Sequence, residues 1–135
     1  MPSAAAPKNI DDLAELLARS RITTTEQANT WLAIFRAAHP GIASTAIAEF
    51  CNFLISAGDV TQWQCEKLKM GRWKGFYFEE HYLLLEQIGK GGSDPSSYYS
   101  SYKACDTRTK NLVGLFIVPV AYSGGYFKYR VYPYM

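Results

Sequence analysis

Cysteine is scarce in this chain: Cys51, Cys65 and Cys105 are odd in number, widely spaced and without a C-x-x-C pair. That pattern excludes a disulfide framework and argues against a zinc site. Histidine is scarcer still, with only His39 and His81, neither beside a nucleophile elbow or a catalytic-cysteine signature. A hydrolase and a metal centre are therefore not expected; His39 is read as a helix-end residue and His81 as a member of a surface ion pair with its acidic neighbours. Charged residues amount to 19% of the chain and leave a net +2, too mild and scattered for a dedicated nucleic-acid binder. No stretch approaches the ~18 apolar residues of a membrane span. Residues 1–8 are rich in Ala, Pro and Ser, without a basic segment followed by an apolar one, so they are expected to be disordered and the chain to be cytoplasmic.

What is present is the composition of a folding chain: 135 residues, 48% hydrophobic and 15% aromatic. The two halves differ. Of the alanines, all but Ala104 and Ala121 precede Met70, whereas every tyrosine follows Phe76. Alanine favours helix and aromatics favour strand. The spacing therefore predicts an α+β chain, with a helical subdomain over 9–71 and a small antiparallel β subdomain over 76–135.

In the first half, Asn9 is placed to cap a helix that buries Leu13, Leu16 and Leu17 and ends near Ser20. Thr23 to Thr25 offer caps for a second, carrying Ala28, Trp31, Leu32 and Phe35 at helical spacing until His39-Pro40-Gly41. Ser44 is expected to cap a third, with Phe50, Cys51 and Leu54 inward and Gly58 as its left-handed stop. Thr61 caps a short fourth. Helix, apolar hinge, threonine, glutamine and helix occur twice, from Leu16-Leu17 to Gln27 and from Leu54-Ile55 to Gln64, at a separation near 38 with one insertion. Two helical hairpins follow from that repeat.

The second half reads as short strands over 82–88, 97–105, 112–118 and 127–134, with a polar loop at 107–111 and a Ser-Gly-Gly turn after Tyr122. Tyr126, Lys128, Arg130 and Tyr132 on the last strand form a cationic aromatic stripe, a composition suited to an interaction surface or to a sheet edge that pairs with another chain.

Tyr82-Leu-Leu-Leu-Glu-Gln-Ile-Gly-Lys-Gly-Gly92, then Tyr102-Lys-Ala-Cys-Asp106 and Val113-Gly-Leu-Phe-Ile-Val-Pro119, resembles the first three strands of bacterial Hanks-type serine/threonine protein kinases. The helical preface from Val60 to Phe76 is similar to the segment preceding the kinase domain in planctomycete members. The resemblance implies part of a kinase N-lobe, with Gly89, Gly91 and Gly92 in the glycine-rich hairpin that lets backbone amides approach nucleotide phosphates. It also exposes departures. Ser93-Asp94-Pro95 replaces the third glycine, Phe116 stands where the phosphate-binding lysine belongs, and the chain carries no H-R-D or D-F-G pattern. Phosphoryl transfer needs that lysine and magnesium ligands, so no enzyme activity, no catalytic residue and no cofactor are expected. The reading that follows is a non-catalytic, kinase-like regulatory or scaffolding module that binds a protein partner or itself. The alternative is an ATP-binding sensor that uses the Gly89 to Gly92 hairpin without transferring phosphate.

Overall fold

The structure is a computed structural model that describes residues 5–92, 99–119 and 127–134. The chain is α+β, with four helices followed by a five-stranded antiparallel sheet among the described residues, and it divides into two compact units between Phe76 and Tyr77. None of the helices is long and apolar enough to cross a membrane among the described residues.

The helical unit holds α1 (Ile10–Arg19), α2 (Thr25–Ala38), α3 (Ile47–Ala57) and α4 (Gln62–Lys69). Asn9 accepts from the Asp12 backbone N–H at 2.8 Å and so starts α1. Thr24 and Thr61 each accept from a backbone N–H three residues on, from Gln27 and Gln64, whose side chains return the bond. These are two capping boxes, each satisfying two donors that a helix start otherwise leaves unpaired. The repeat needs no insertion. Thr24 and Thr61, Gln27 and Gln64, and the left-handed Arg21 (φ 64°) and Gly58 (φ 83°) all stand 37 positions apart. Leu13 with Phe50, Ala14 with Cys51, Leu17 with Leu54 and Ala28 with Cys65 keep the same interval, and all eight are buried.

Ser44 does not cap α3. Its carbonyl instead accepts from the Ile10 N–H at 2.8 Å, and α3 begins three residues later after Ala46, without a side-chain cap. At the middle of the unit the Phe35 ring lies 5.1 Å from Phe50 and 5.4 Å from Phe53. Trp31 meets Phe53 edge-on and donates its indole N–H to Asp59, so its polar tip is satisfied while its body packs.

The sheet unit runs β1 (Tyr77–Phe78), β2 (Tyr82–Gly91), β3 (Tyr99–Asp106), β4 (Asn111–Pro119) and β5 (Phe127–Pro133), each strand pairing with the next. Two residues are too few to display a period, which is why β1 escapes a reading of the sequence. Two bulges shift the β2–β3 register, between Leu84 and Glu86 and between Gln87 and Gly89. The expected loop at 107–111 is a tight hairpin built on Asp106. Its carboxylate accepts from the Arg108 backbone N–H and takes both ends of the Arg108 guanidinium, each at 3.0 Å, while Lys110 turns left-handed at φ 65°.

Pleating sends alternate residues to opposite faces. Tyr82, Leu84, Ala104, Val113, Leu115 and Ile117 occupy one face and are buried. The Tyr129 ring joins that face from β5, 5.0 Å from Phe78 on β1 and 6.3 Å from Tyr82, so the sheet curls until its two edge strands meet through their rings.

Candidate functional site

The other face of the sheet carries most of the residues singled out from the sequence. Cross-strand partners share a face, so the pairs Gly89–Ser101, Ser101–Phe116 and Phe116–Arg130 form one row across four strands, with the pair Gly91–Tyr99 beside it on the same face. Lys128 and Tyr132 flank Arg130 at two-residue spacing on the same face.

Gly89 and Gly91 are paired strand residues: β2 runs three residues beyond Ile88, where the sequence suggested that it ends, and only Gly92 (φ 106°) lies past it. Their lack of a side chain is used for close approach. A Cβ on Gly91 would fall 2.6 Å from the Tyr99 ring, and one on Gly89 would fall 3.3 Å from the Ser101 hydroxyl oxygen. The Tyr99 ring in turn stacks on Phe116, with centroids 5.0 Å apart and planes 19° from parallel. The surface beside these glycines is thus filled by two aromatic rings of the same chain.

Beyond Phe116 the face opens into a cavity of about 740 Å³, lined by Phe116, Val118, Lys128, Arg130 and Tyr132, with Tyr129 between the two cations. Its floor is apolar and its rim is cationic. Lys128 and Arg130 are exposed and make no ion pair among the described residues. Tyr132 is 50% exposed, a large apolar surface left in water. Nearby, the Lys103 ammonium lies 5.0 Å above the Tyr134 ring, so that cation is already engaged. Tyr126, Ser93, Asp94 and Pro95 lie outside the described residues, and so do residues 1–4 at the chain start.

Sequence reasoning missed Tyr99 and Val118. The Val118 position follows from Phe116 by the two-residue period of a strand, a signal that was there to use. Tyr99 could not be found that way, because its pairing with Gly91 depends on the two bulges that reset the β2–β3 register.

The remaining reactive groups are built into the structure. Cys51 and Cys65 are buried free thiols, and Cys105 is half-buried. The hydrogen bond with the Cys51 side chain, and then burial, hold the Cys65 thiol well above its ordinary value, so it is a poor nucleophile. His39 ends α2 with its Nδ1 3.1 Å from the Phe35 carbonyl and its ring against Phe35. His81 makes no ion pair among the described residues; its ring packs on Tyr82 instead, because the turn aims Glu79 and Glu80 into solvent. Asp106 is tuned but structural: the Arg108 guanidinium holds its carboxyl below the usual carboxylate value, against the burial that raises it. No three His, Cys, Asp or Glu side chains among the described residues lie close enough together to hold a metal ion.

Compared with protein-family models, with curated proteins and with solved structures, this chain matches none of them.

Proposed function

We propose that this chain is a non-catalytic regulatory or scaffolding module that binds protein through the β4–β5 face. The observation that supports this most is the open cavity lined by Phe116 and Val118, by two cations that make no ion pair among the described residues and by an exposed tyrosine. Aromatic and arginine side chains are the groups that dominate protein interfaces, since they combine contact area with directed polar tips. Phe116 offers apolar bulk where the kinase resemblance would require an ammonium group. Under this reading no phosphate is transferred to any substrate.

The ATP-sensor reading is the weaker one on geometry. A phosphate-binding turn needs backbone N–H groups pointing at open space, whereas Gly89 and Gly91 are paired in the ladder and Tyr99 covers Gly91. Two measurements separate the readings. Proteins retained from native lysate by the immobilised chain should be lost with Lys128→Glu/Arg130→Glu, and the unfolding midpoint should not move with millimolar Mg-ATP. Retention indifferent to those charges would refute the proposed surface. A reproducible rise of the midpoint with Mg-ATP, removed by Gly89→Val, would put the sensor first, because a ligand of the folded state must stabilise it.

A further inference from the structure

The cavity asks for an anionic occupant, and the same unit carries one. Glu79 and Glu80 form the tip of the β1–β2 turn, both exposed and both held left-handed, at φ 52° and 67°. Two consecutive glutamates in that conformation are unusual, since it favours glycine or asparagine. Asp11 is engaged by Arg36, Asp59 by Trp31, Glu66 by Gln62 and Asp106 by Arg108, whereas Glu15, Glu26, Glu49 and Glu86 stand singly without an ion pair among the described residues. Glu79 and Glu80 make no ion pair among the described residues. They are adjacent, so the turn presents two carboxylates together.

Their counterparts are matched in number. Lys128 and Arg130 alternate along β5 on one face, about 7 Å apart by the strand rise. The turn cannot be dismissed as remote from the cavity, because Phe78, just before it, touches the Tyr129 ring between those two cations. Tyr129 projects to the buried face, however, whereas Lys128 and Arg130 project to the other. By register the turn adjoins the Tyr82–Asp106–Asn111 end of the sheet while Lys128 pairs with Val118 near the other, so within one chain the Phe78–Tyr129 ring contact links the acidic tip to the cationic strand but their charges lie on different sides. Two copies related by a two-fold axis satisfy both at once, since each tip enters the other's cavity.

We propose that the partner of the β4–β5 face is a second copy of this chain, which inserts its Glu79–Glu80 turn between Lys128 and Arg130 in a reciprocal pair. This rests on the reading of that face as a protein-binding surface and names its occupant. A contact through two hairpin tips is small beside a standard interface of roughly 1,200 Å², so weak pairing is expected. Its charges make it sensitive to salt.

The test is sedimentation equilibrium of the full chain from about 1 µM to about 1 mM, the range that covers weak pairing. The expected result is a monomer–dimer equilibrium. Glu79→Lys/Glu80→Lys and Lys128→Glu/Arg130→Glu should each raise the dissociation constant by about tenfold or more, the loss of close charge pairs. Mixing the two reversed chains should restore association, because each then offers what the other lacks. Glu79→Gly/Glu80→Gly removes the charge while suiting the turn, so it should weaken pairing in a chain that remains folded by circular dichroism. A dimer indifferent to these changes, or reversed chains that fail to associate when mixed, would overturn the proposal. So would a monomer at every concentration; if the lysate retention of the native chain still depended on Lys128 and Arg130, the protein-binding face would stand and only the self-pairing would fall.

Discussion

The two units spend their apolar residues differently. Among the described residues, the large side chains almost wholly shut off from water are Phe35, Phe50, Ile10, Leu13, Leu17, Leu54, Leu68, Gln64, Cys51 and Cys65 in the helical unit, against Leu115, with the small Ala104, in the sheet unit. Exposed large apolar residues divide the other way, with Ile34 and Met70 among the helices but Ile88, Leu112, Tyr129, Val131, Tyr132 and Tyr134 on the sheet. A helical hairpin repeated once closes its core with its own copy. A meander of strands has two faces, and only one of them is covered by the unit's own buried side chains. The lesson is that burial is concentrated in the repeated helices, while the surface proposed for recognition lies on the second face of the sheet.

Substitutions break that comparison most strongly at its extremes. Phe50→Ala should cost about 3–5 kcal/mol of unfolding free energy through lost burial and a residual cavity, whereas Tyr132→Ala should stay within about 0.5 kcal/mol; denaturant titration of both variants measures the contrast. Next come the two capping boxes, which are chemically alike and differ in burial. Gln64 is 1% exposed and Gln27 lies in solvent. Gln64→Ala should therefore cost about 1–3 kcal/mol, the penalty of stranding buried polar partners, and Gln27→Ala about 0.5 kcal/mol. Equal losses would show that burial adds nothing to the motif.

Acid sharpens the comparison from the sheet side. Asp106 has its pKa lowered by Arg108 in the folded state, so its contribution is present above the unfolded carboxylate value and is lost as pH falls through the lower folded value. Asp106→Asn should lower the midpoint at neutral pH and flatten the acid limb of the profile, read by thermal unfolding from neutral to acidic buffer. The smallest effect is expected at the hinges. Arg21 is left-handed where the second hairpin has Gly58, so Arg21→Gly should be neutral to stabilising by about 0.5 kcal/mol, strain relief offset by the entropy of glycine.

Much of this was legible in the sequence, and for physical reasons. Asn9, Thr61 and Gly58 act through bonds to residues a few positions away, and local chemistry of that kind is readable from local sequence. The repeat is visible too, although its interval comes out one residue long when Leu16-Leu17 and Ile22-Thr23 are set against Leu54-Ile55 and Val60-Thr61, because the cap equivalent to Thr61 is Thr24. Ser44 failed as a cap because its backbone is committed to Ile10, a contact across the fold that no window of sequence contains. The sheet shows the same division. The strands at 82, 112 and 127 announce themselves by composition, and the stripe of Lys128, Arg130 and Tyr132 follows from alternation alone. The closure of Gly91 by Tyr99 and Phe116 depends on bulges, and bulges are set by pairing.

The most direct test of the division between a self-contained helical unit and a recognition face places a photo-activated cross-linker at one of two comparably exposed positions, Tyr132 on β5 or Ile34 on α2, 50% and 45% exposed. After illumination in native lysate, specific adducts should form from position 132 and disappear when Lys128→Glu and Arg130→Glu are added, while position 34 gives only background. Adducts that form equally from both positions, or that survive loss of the two cations, would contradict the account.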